Sequence, residues 1–402
     1  MNKHLICLLA GCFAAPASAQ SIKVKPLLDL RLRYENVDQD RFLREADAVT
    51  LRVRAGAEFS TGPWRLLAEG EGTAAPVEHY DSGVNGKTFY PLVADPKSAE
   101  VNRLQLQYTG FKKSVVTLGR QRINLDDQRF VGAAGWRQNE QTFDAIRLET
   151  GDAKGFKADL TYAWSVRTIW GRHAHTARQQ AVDGDNVFLN VSHPTPVGTL
   201  TAFDYVVDQD ESIVSLFRQS SNTLGARLAG AHKLSPKAKL TYALSYATQK
   251  DHGKNPNDYR ADYKLAEVGV ELAAAKLGLG YEVLGADDGR PFTSFQTPLA
   301  TLHKFQGWAD KFLTTPPNGV RDKYASAGYG WKKVFGLDAI NAVGVYHRFD
   351  SDRLDLHYGN EWNASVAAKK GRWTVTAKVA DYQADRFATD TRKAWLQLEW
   401  IY

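Results

Sequence analysis

Lys393-Ala394-Trp395-Leu396-Gln397-Leu398-Glu399-Trp400-Ile401-Tyr402, the last ten residues of the chain, form the stretch that decides the fold. In an extended strand successive side chains point to opposite faces, so Lys393, Gln397 and Glu399 lie opposite a row of apolar residues, Ala394, Leu396, Leu398, Trp400 and Tyr402. A closed outer-membrane barrel ends in this way, because its last strand pairs with its first and turns apolar and aromatic side chains to the lipid. An edge strand of a soluble sheet is the alternative that this stretch alone leaves open.

The same alternation recurs along the chain from Ile22 onward, in segments of roughly ten residues or more, long enough to cross a bilayer at a tilt. The clearest segments lie near residues 28–35, 49–59, 103–108, 156–167, 240–246 and 372–379. Strands of soluble sandwiches average about 5 to 6 residues, so the length favours a barrel. No run of about 18 apolar residues is present, which excludes a helical membrane protein.

The connections between these segments alternate in length. Short turns are expected at 61–63, 112–113, 151–155, 194–198, 235–237, 335–336 and 369–371, and longer polar loops near 36–46, 77–98, 124–140, 169–184, 208–219, 251–259, 287–320 and 384–391. Short periplasmic turns and long extracellular loops are typical of outer-membrane barrels. We therefore predict an all-β fold: a transmembrane antiparallel β-barrel of about 18 strands, with 16 as the alternative, crossing the Gram-negative outer membrane many times.

Residues 1–19 read as a secretory signal peptide, with Lys3 before an apolar core and Ala17-Ser18-Ala19 as the cleavage site. Residues 20–402 then form a single barrel domain. A lipoprotein box ending at Cys12 is the competing interpretation. Because both cysteines, Cys7 and Cys12, lie in this segment, the mature chain would contain no disulfide.

Charged side chains concentrate between residues 118 and 144, where they cannot face lipid, because each would cost roughly 2–4 kcal/mol at mid-depth. Arginine suits carboxylate or phosphate, since its planar fork donates two parallel hydrogen bonds. These side chains either line the pore as a selectivity element or brace a strand against a loop. The candidate pore-lining residues here and on the polar faces of earlier strands are Arg120, Arg122, Asp126, Asp127, Arg129, Arg137, Arg52, Arg54 and Arg103.

The longest loop, at 287–320, is rich in aromatic residues and lacks the period of two. A loop of this length with so much apolar content usually packs somewhere, and the lumen is the expected place. We predict that it narrows the passage through His303, Lys304, Trp308 and Asp310, with Lys311 as a lining cation. An extracellular cap without a role in transport is the alternative.

Two gapped motifs resemble the alginate-export family of outer-membrane porins. The first is G-R-Q-R-I-N-L-D-D-Q-R-F-V-G at 119–132, followed by W-R-Q-N at 136–139 and T-F-D-A at 142–145; the second is T-P-L-A-T-L-H-K-F-Q-G-W-A-D-K-F-L at 297–313. The resemblance implies an 18-stranded barrel whose arginine-lined, electropositive constriction passes an anionic polysaccharide. By motif position it implies a cationic lining of Arg120, Arg122, Arg129, Arg137 and Lys311.

We therefore expect a channel for passive diffusion of anionic solutes or an acidic polysaccharide. Its partners would be that solute, the membrane lipid and the barrel-assembly machinery, which would engage the C-terminal strand. The formal net charge of +6 is interspersed with acids, and no nucleic-acid partner, catalytic residue, cofactor or metal is expected. A barrel enzyme using Ser192 with His193 or His347, and a structural barrel with a plugged lumen, are the alternatives.

Overall fold

The computed structural model describes residues 21–152, 154–175, 178–210 and 217–402. The expected signal peptide, with Cys7 and Cys12, lies outside the described residues. Within them, no helix is long and apolar enough to cross a membrane.

Eighteen β-strands make up the fold. Their bounds are β1 Lys23–Gln39, β2 Ala46–Thr61, β3 Trp64–His79, β4 Ser98–Tyr108, β5 Ser114–Gln121, β6 Thr142–Gly151, β7 Lys157–Arg167, β8 Ala181–Thr195, β9 Gly198–Val207, β10 Ser221–Ser235, β11 Ala238–Asp251, β12 Arg260–Leu272, β13 Ala275–Leu284, β14 Val320–Val334, β15 Leu337–Asp350, β16 His357–Lys370, β17 Trp373–Ala384 and β18 Thr391–Ile401. A short 3₁₀ turn, Leu302–Lys304, lies between β13 and β14.

The strands form one closed antiparallel sheet. Each pairs with the next in sequence, and β1 pairs with β18, with Leu32 opposite Leu398 and Arg33 opposite Gln397. Closure leaves no strand edge without a backbone partner, which a barrel in lipid requires. The predicted transmembrane β-barrel of 18 strands is confirmed.

Alternation along each strand separates the lipid face from the interior. On β1, Leu32 and Tyr34 are 43% and 39% exposed, whereas Arg33 and Glu35 are each 1% exposed. On β18, Leu396 points outward, and Gln397 is buried inside. The period of two therefore places apolar side chains against lipid and charged ones in the interior, as expected for this class of barrel.

Short turns and long loops fall at opposite ends of the barrel, as the sequence predicts. The structure adds one turn at 273–274 and one loop at 351–356 that sequence patterning did not mark. The turn joins β12 to β13 through two alanines, which carry none of the usual turn chemistry.

Two loops fold into the barrel and pack on each other: the β5–β6 loop (122–141) and the β13–β14 loop (285–319). The backbone N–H of Gly132 donates to the carbonyl of Leu299 at 2.9 Å, and that of Thr301 donates to the carbonyl of Gln128 at 3.1 Å. Phe295, in the longer loop, is fully buried. This position favours the constricting interpretation of the longer loop over an external cap.

Candidate anion site in the barrel lumen

The inner face of β1–β4 and β18 is densely charged, and we call it the charged wall. Its members are Arg31, Arg33, Arg52, Arg54, Glu69, Glu71, Arg103, Lys393 and Glu399. Arg33 contacts Asp95 at 3.1 Å, and Arg52 contacts Asp29 at 2.6 Å. A charge buried this far from water requires such a partner.

Glu140, at the end of the β5–β6 loop, collects three donors from the charged wall and from its own loop. Arg54 Nη1 lies 3.3 Å from one carboxylate oxygen of Glu140, and Arg122 Nε donates to that oxygen at 2.9 Å. Asn102 donates to the other oxygen at 2.8 Å. Although burial opposes ionisation, Arg54 and Arg122 lower the pKa of Glu140, so this carboxylate stays charged.

Two further predicted arginines occupy different faces. Arg103 points inward and donates a bidentate pair of hydrogen bonds to Glu69 at 2.8 and 2.9 Å. Arg120 lies opposite Leu104, which faces lipid. It donates to Asp144, which also faces outward, because its neighbours Phe143 and Ala145 on β6 both face inward. Arg120 therefore points outward near the extracellular rim, and its predicted place in the pore lining is corrected: the residue is even-numbered on a strand whose inward residues are odd-numbered.

Arg129 lies deep in the interior, away from the charged wall. Its guanidinium donates to Glu282 at 2.7 Å and to Thr297 and Gln306 at 3.1 Å each. Only 2% of this residue is exposed. The geometry is that of a brace between the β5–β6 loop, strand β13 and the β13–β14 loop.

Arg137 and Asp310 link the two inward loops to the charged wall. Arg137 contacts Asp310 at 2.7 Å, and Lys393 of β18 contacts the same oxygen at 2.9 Å. His303 Nδ1 lies 2.7 Å from the other oxygen of Asp310. Burial opposes ionisation of Asp310, yet His303, Lys393 and Arg137 hold its pKa well below the usual range.

His303 joins this network to an aromatic cage around Lys378. The Lys378 Nζ lies 2.7 Å from His303 Nε2 and sits over the rings of Trp308, Trp136 and Trp395, at 3.8, 4.1 and 5.2 Å from their centroids. Because the ionised Asp310 only accepts, His303 Nδ1–H donates to it, and Nε2 of the neutral imidazole accepts from Lys378. Burial lowers the pKa of His303 well below its usual value, in agreement with this neutral tautomer.

The remaining predicted residues, apart from Trp308, lie where the two loops meet each other and strands β8 and β10. Asp126 accepts from Asn190 at 2.8 Å, Asp127 pairs with Arg227 at 2.9 Å, and Lys304 donates to the carbonyl of Asp127 at 2.7 Å. These contacts fasten loops and strands to one another.

Above this region lies a cavity of about 550 Å³ on the extracellular side of the inward loops. Four cations and one acid line it: Arg137, Arg178, Lys311, Lys393 and Asp310. Apolar side chains, among them Leu92, Ile169, Trp170 and Leu313, complete the lining. In the part of the chain that the structure describes, Lys311 has no hydrogen bond or ion pair, so its ammonium remains available to a ligand.

Sequence reasoning missed Lys378, Lys393 and Arg178 as members of this region. Lys393 was assigned to the wet face of the last strand, which is correct, but no local signal connects it with Asp310, 83 residues away. Among the described residues, no cluster of three or more His, Cys, Asp or Glu could hold a metal ion.

The closed 18-stranded barrel with inward loops defines an outer-membrane channel of the porin class. A sequence profile described as alginate export matches residues 27–297, more than half of the chain, and the chain therefore belongs to that family. No curated protein matches its sequence.

Several solved outer-membrane barrels share the architecture. OpdQ of Pseudomonas aeruginosa superimposes with a TM-score of 0.69 at 14% identity, over 94% of this chain and 98% of that one. OccAB4 of Acinetobacter baumannii gives 0.68 at 15% identity, over 96% and 99%. OpdK of P. aeruginosa, solved with vanillate, gives 0.66 at 14% identity, over 94% and 98%. At such identities the likeness shows the fold.

Proposed function

We propose that this barrel is a passive channel for small organic anions, and that carboxylates with an apolar body are its preferred solutes. The observation that carries the proposal is the lining of the extracellular cavity, where four cations and one acid lie among many apolar side chains. Such a lining attracts the charged end of a solute and accommodates its uncharged end. Fixed positive charge raises the local concentration of anions and with it their rate of entry.

Lys311 is central to this proposal because its charge is not neutralised by a contact. Arg137 and Lys393 both touch Asp310, so part of their field is cancelled locally. A solute carboxylate approaching Lys311 meets a donor that has no protein partner in the described structure. A single donor of this kind binds a solute weakly. Weak binding favours conduction, since a solute must both enter and leave each site.

An acidic polysaccharide is the second candidate solute, and membership of the alginate export family supports it. The cavity favours the smaller solute, because about 550 Å³ lies within the usual range for small-molecule sites. The apolar lining has no obvious use for a polymer covered in hydroxyl groups. The vanillate of OpdK, an aromatic carboxylate, belongs to the chemical class proposed here.

We further infer that the barrel is not an enzyme. Ser192 and His193 are successive residues of β8 and so project to opposite faces, which is unsuited to a nucleophile and its base. His193 stacks on Phe156 with ring centroids 4.5 Å apart. His347 is bonded through Nδ1 to Asp322 at 2.9 Å, and no serine among the described residues donates to it.

The test is the reversal potential of the purified protein in a planar bilayer under a salt gradient. We expect anion preference, which Lys311→Gln reduces without a change in folding. Lys332→Gln, on an exposed lysine at the opposite end of β14, is the matched control and keeps the wild-type preference. Benzoate should reduce chloride conductance at lower concentrations than benzyl alcohol does.

Four results would reject the proposal in different ways. Cation preference would remove the anion channel altogether, and an absence of conductance would support a plugged structural barrel. Block by an oligouronate that exceeds block by benzoate would favour the polysaccharide. Hydrolysis of an ester substrate by the pure protein would restore the enzyme alternative.

A further inference from the structure

The outward face of strands β11–β15 carries a group of cations in its extracellular half, which we call the basic patch. Its members are Lys250, Arg260, Lys264, Arg321, Lys323 and Arg348. Their inward neighbours, such as Asp322 and His347, are buried in the barrel, which assigns the cations to the outer surface. None of them faces the lumen, so the transport function does not account for them.

The basic patch lies level with aromatic side chains that mark the membrane interface. Lys264 is the cross-strand neighbour of Tyr246, and Lys323 is the cross-strand neighbour of Tyr281. Tyr246 and Tyr281 are 51% and 40% exposed on the outer surface. Because aromatic girdles sit at headgroup depth, the cations beside them also sit at that depth.

The charges of the basic patch are incompletely balanced within the protein. Lys323 and Arg348 lie directly opposite each other on β14 and β15, an arrangement of like charges that destabilises a sheet. Asp350 contacts both, at 3.3 and 3.4 Å, but it also bonds His357 at 2.9 Å. Lys264 has no ion pair within the described ranges. Arg321 pairs with Asp355, whereas Asp350 serves Lys323, Arg348 and His357 together, and an external anion would relieve the repulsion between Lys323 and Arg348.

This excess of positive charge is local to one side of the barrel. Elsewhere along the extracellular rim, the outward residues include Asp47, Asp185 and Asp204, which accept hydrogen bonds from Tyr34, Tyr162 and Asn222. Outward cations near the rim of other strands, Arg120 and Arg392, each have an acid of their own, Asp144 at 2.7 Å and Asp381 at 3.4 Å, whereas Lys323 and Arg348 share one. The asymmetry indicates a partner that meets one side of the barrel.

We propose that the basic patch binds a phosphate group of the outer-leaflet lipid headgroup, with Lys323 and Arg348 as the principal ligands. The outer leaflet of a Gram-negative outer membrane presents phosphorylated sugars at this depth, and they are adjacent to the patch in the native setting. Arg348 supplies a planar fork that matches phosphate oxygens, and Lys323 supplies a point charge. Tyr281 offers an amphipathic ring beside them for the sugar and the start of the acyl chains.

The experiment compares lipid binding by three forms of the purified barrel in detergent. Native mass spectrometry measures bound bisphosphorylated lipid A and, separately, lipid A from which the phosphates have been removed. The wild type should bind the phosphorylated form about tenfold or more tightly than the dephosphorylated form, since charged hydrogen bonds are lost with the phosphates. Lys323→Gln/Arg348→Gln should bind both forms equally weakly.

The control is Lys332→Gln/Lys369→Gln, which removes two exposed lysines from the periplasmic ends of β14 and β16 and should keep the wild-type discrimination. All forms should show the same conductance, which verifies folding; should the double variant not fold, Lys323→Gln alone replaces it. Equal binding of both lipids by the wild type, or an equal loss in the control, overturns the proposal. Neither result bears on anion conduction, so the two proposals fail independently.

Discussion

The charged wall and the rest of the inner surface hold the same two loops by different contacts. The second region, which we call the aromatic wall, comprises Phe188, Phe203, Tyr205, Tyr263, Phe349, Tyr358 and Tyr382. There, Phe130 of the shorter loop packs 5.1 Å from Phe203, and Phe312 of the longer loop packs 4.5 Å from Phe349. On the charged wall the loops are held by ion pairs and by carbonyls that accept from Arg31.

The two walls differ in how many partners a buried carboxylate has. On the charged wall Asp310 has Arg137, Lys393 and His303 as partners, so one loss leaves two. Beside the aromatic wall, Arg129 is the only cation in contact with Glu282 in the described part of the chain. Removing one member of an isolated buried pair leaves a charge without a counterion, which is the costly case. Substitutions can therefore test whether the two regions respond differently.

The largest loss of stability is expected for Phe312→Ala. Phe312 is 5% exposed and contacts Phe349, Tyr358, Tyr382 and Phe387. Truncation removes these contacts and leaves a cavity, so the free energy of unfolding should fall by about 3–5 kcal/mol. Urea titration of the barrel in detergent micelles measures it. Phe89→Ala, at a 54% exposed loop position, is the control and should cost less than about 1 kcal/mol.

Arg129→Met should cost about as much, 3–5 kcal/mol, because Glu282 is left buried without its cation. If the two side chains act as a pair, replacing the Glu282 carboxyl as well should restore part of the lost stability. Arg129→Met/Glu282→Gln should therefore be more stable than Arg129→Met alone, since glutamine still accepts from the Tyr263 hydroxyl. Equal stability of the single and double variants would show that the pair does not act as a unit.

Arg137→Met should cost less, about 1–3 kcal/mol, because Asp310 keeps Lys393 and His303. This is the direct comparison with Arg129, since both arginines are buried, lie in the same loop and bond one carboxylate at 2.7 Å, although Arg137 also lies 3.9 Å from Glu35. The same urea titration measures both. A cost for Arg137→Met equal to or above that for Arg129→Met would contradict the redundancy assigned to the charged wall.

The sequence predicted the architecture because the period of two is a local property. Each outward row, such as Leu396 and Leu398, can be recognised within its own strand. The partners of the arginines could not be predicted, because Arg31 meets Glu399 across 368 residues and only through barrel closure. Arg120 was misplaced for a related reason: charge density in a segment does not reveal which face one residue occupies. Lys311 was found through its motif, whereas Lys378 had no motif to mark it.

The smallest expected effect is a change of ion selectivity with pH, and it tests whether the charged side of the cavity acts on solutes. Burial, and next the nearby Lys393, lower the pKa of Lys311 to about 8. Lys311 is therefore positively charged below that pH and becomes neutral above it. Anion preference should be higher at pH 6.5 than at pH 9.5, because the cavity loses one of its four cations on this rise.

Lys311→Gln isolates this contribution, since it removes the titrating group and keeps the other lining residues. Its reversal potential at pH 6.5 should resemble that of the wild type at pH 9.5, and it should change less between the two values. The buried pair of Arg137 and Asp310 does not titrate in this window, because the pKa of Arg137 is raised and that of Asp310 is lowered. An identical pH dependence in the wild type and the variant would mean that ions do not pass close to Lys311. Selectivity would then have to arise deeper in the lumen, where Arg122 is the most exposed of the inward-facing arginines predicted to line the pore.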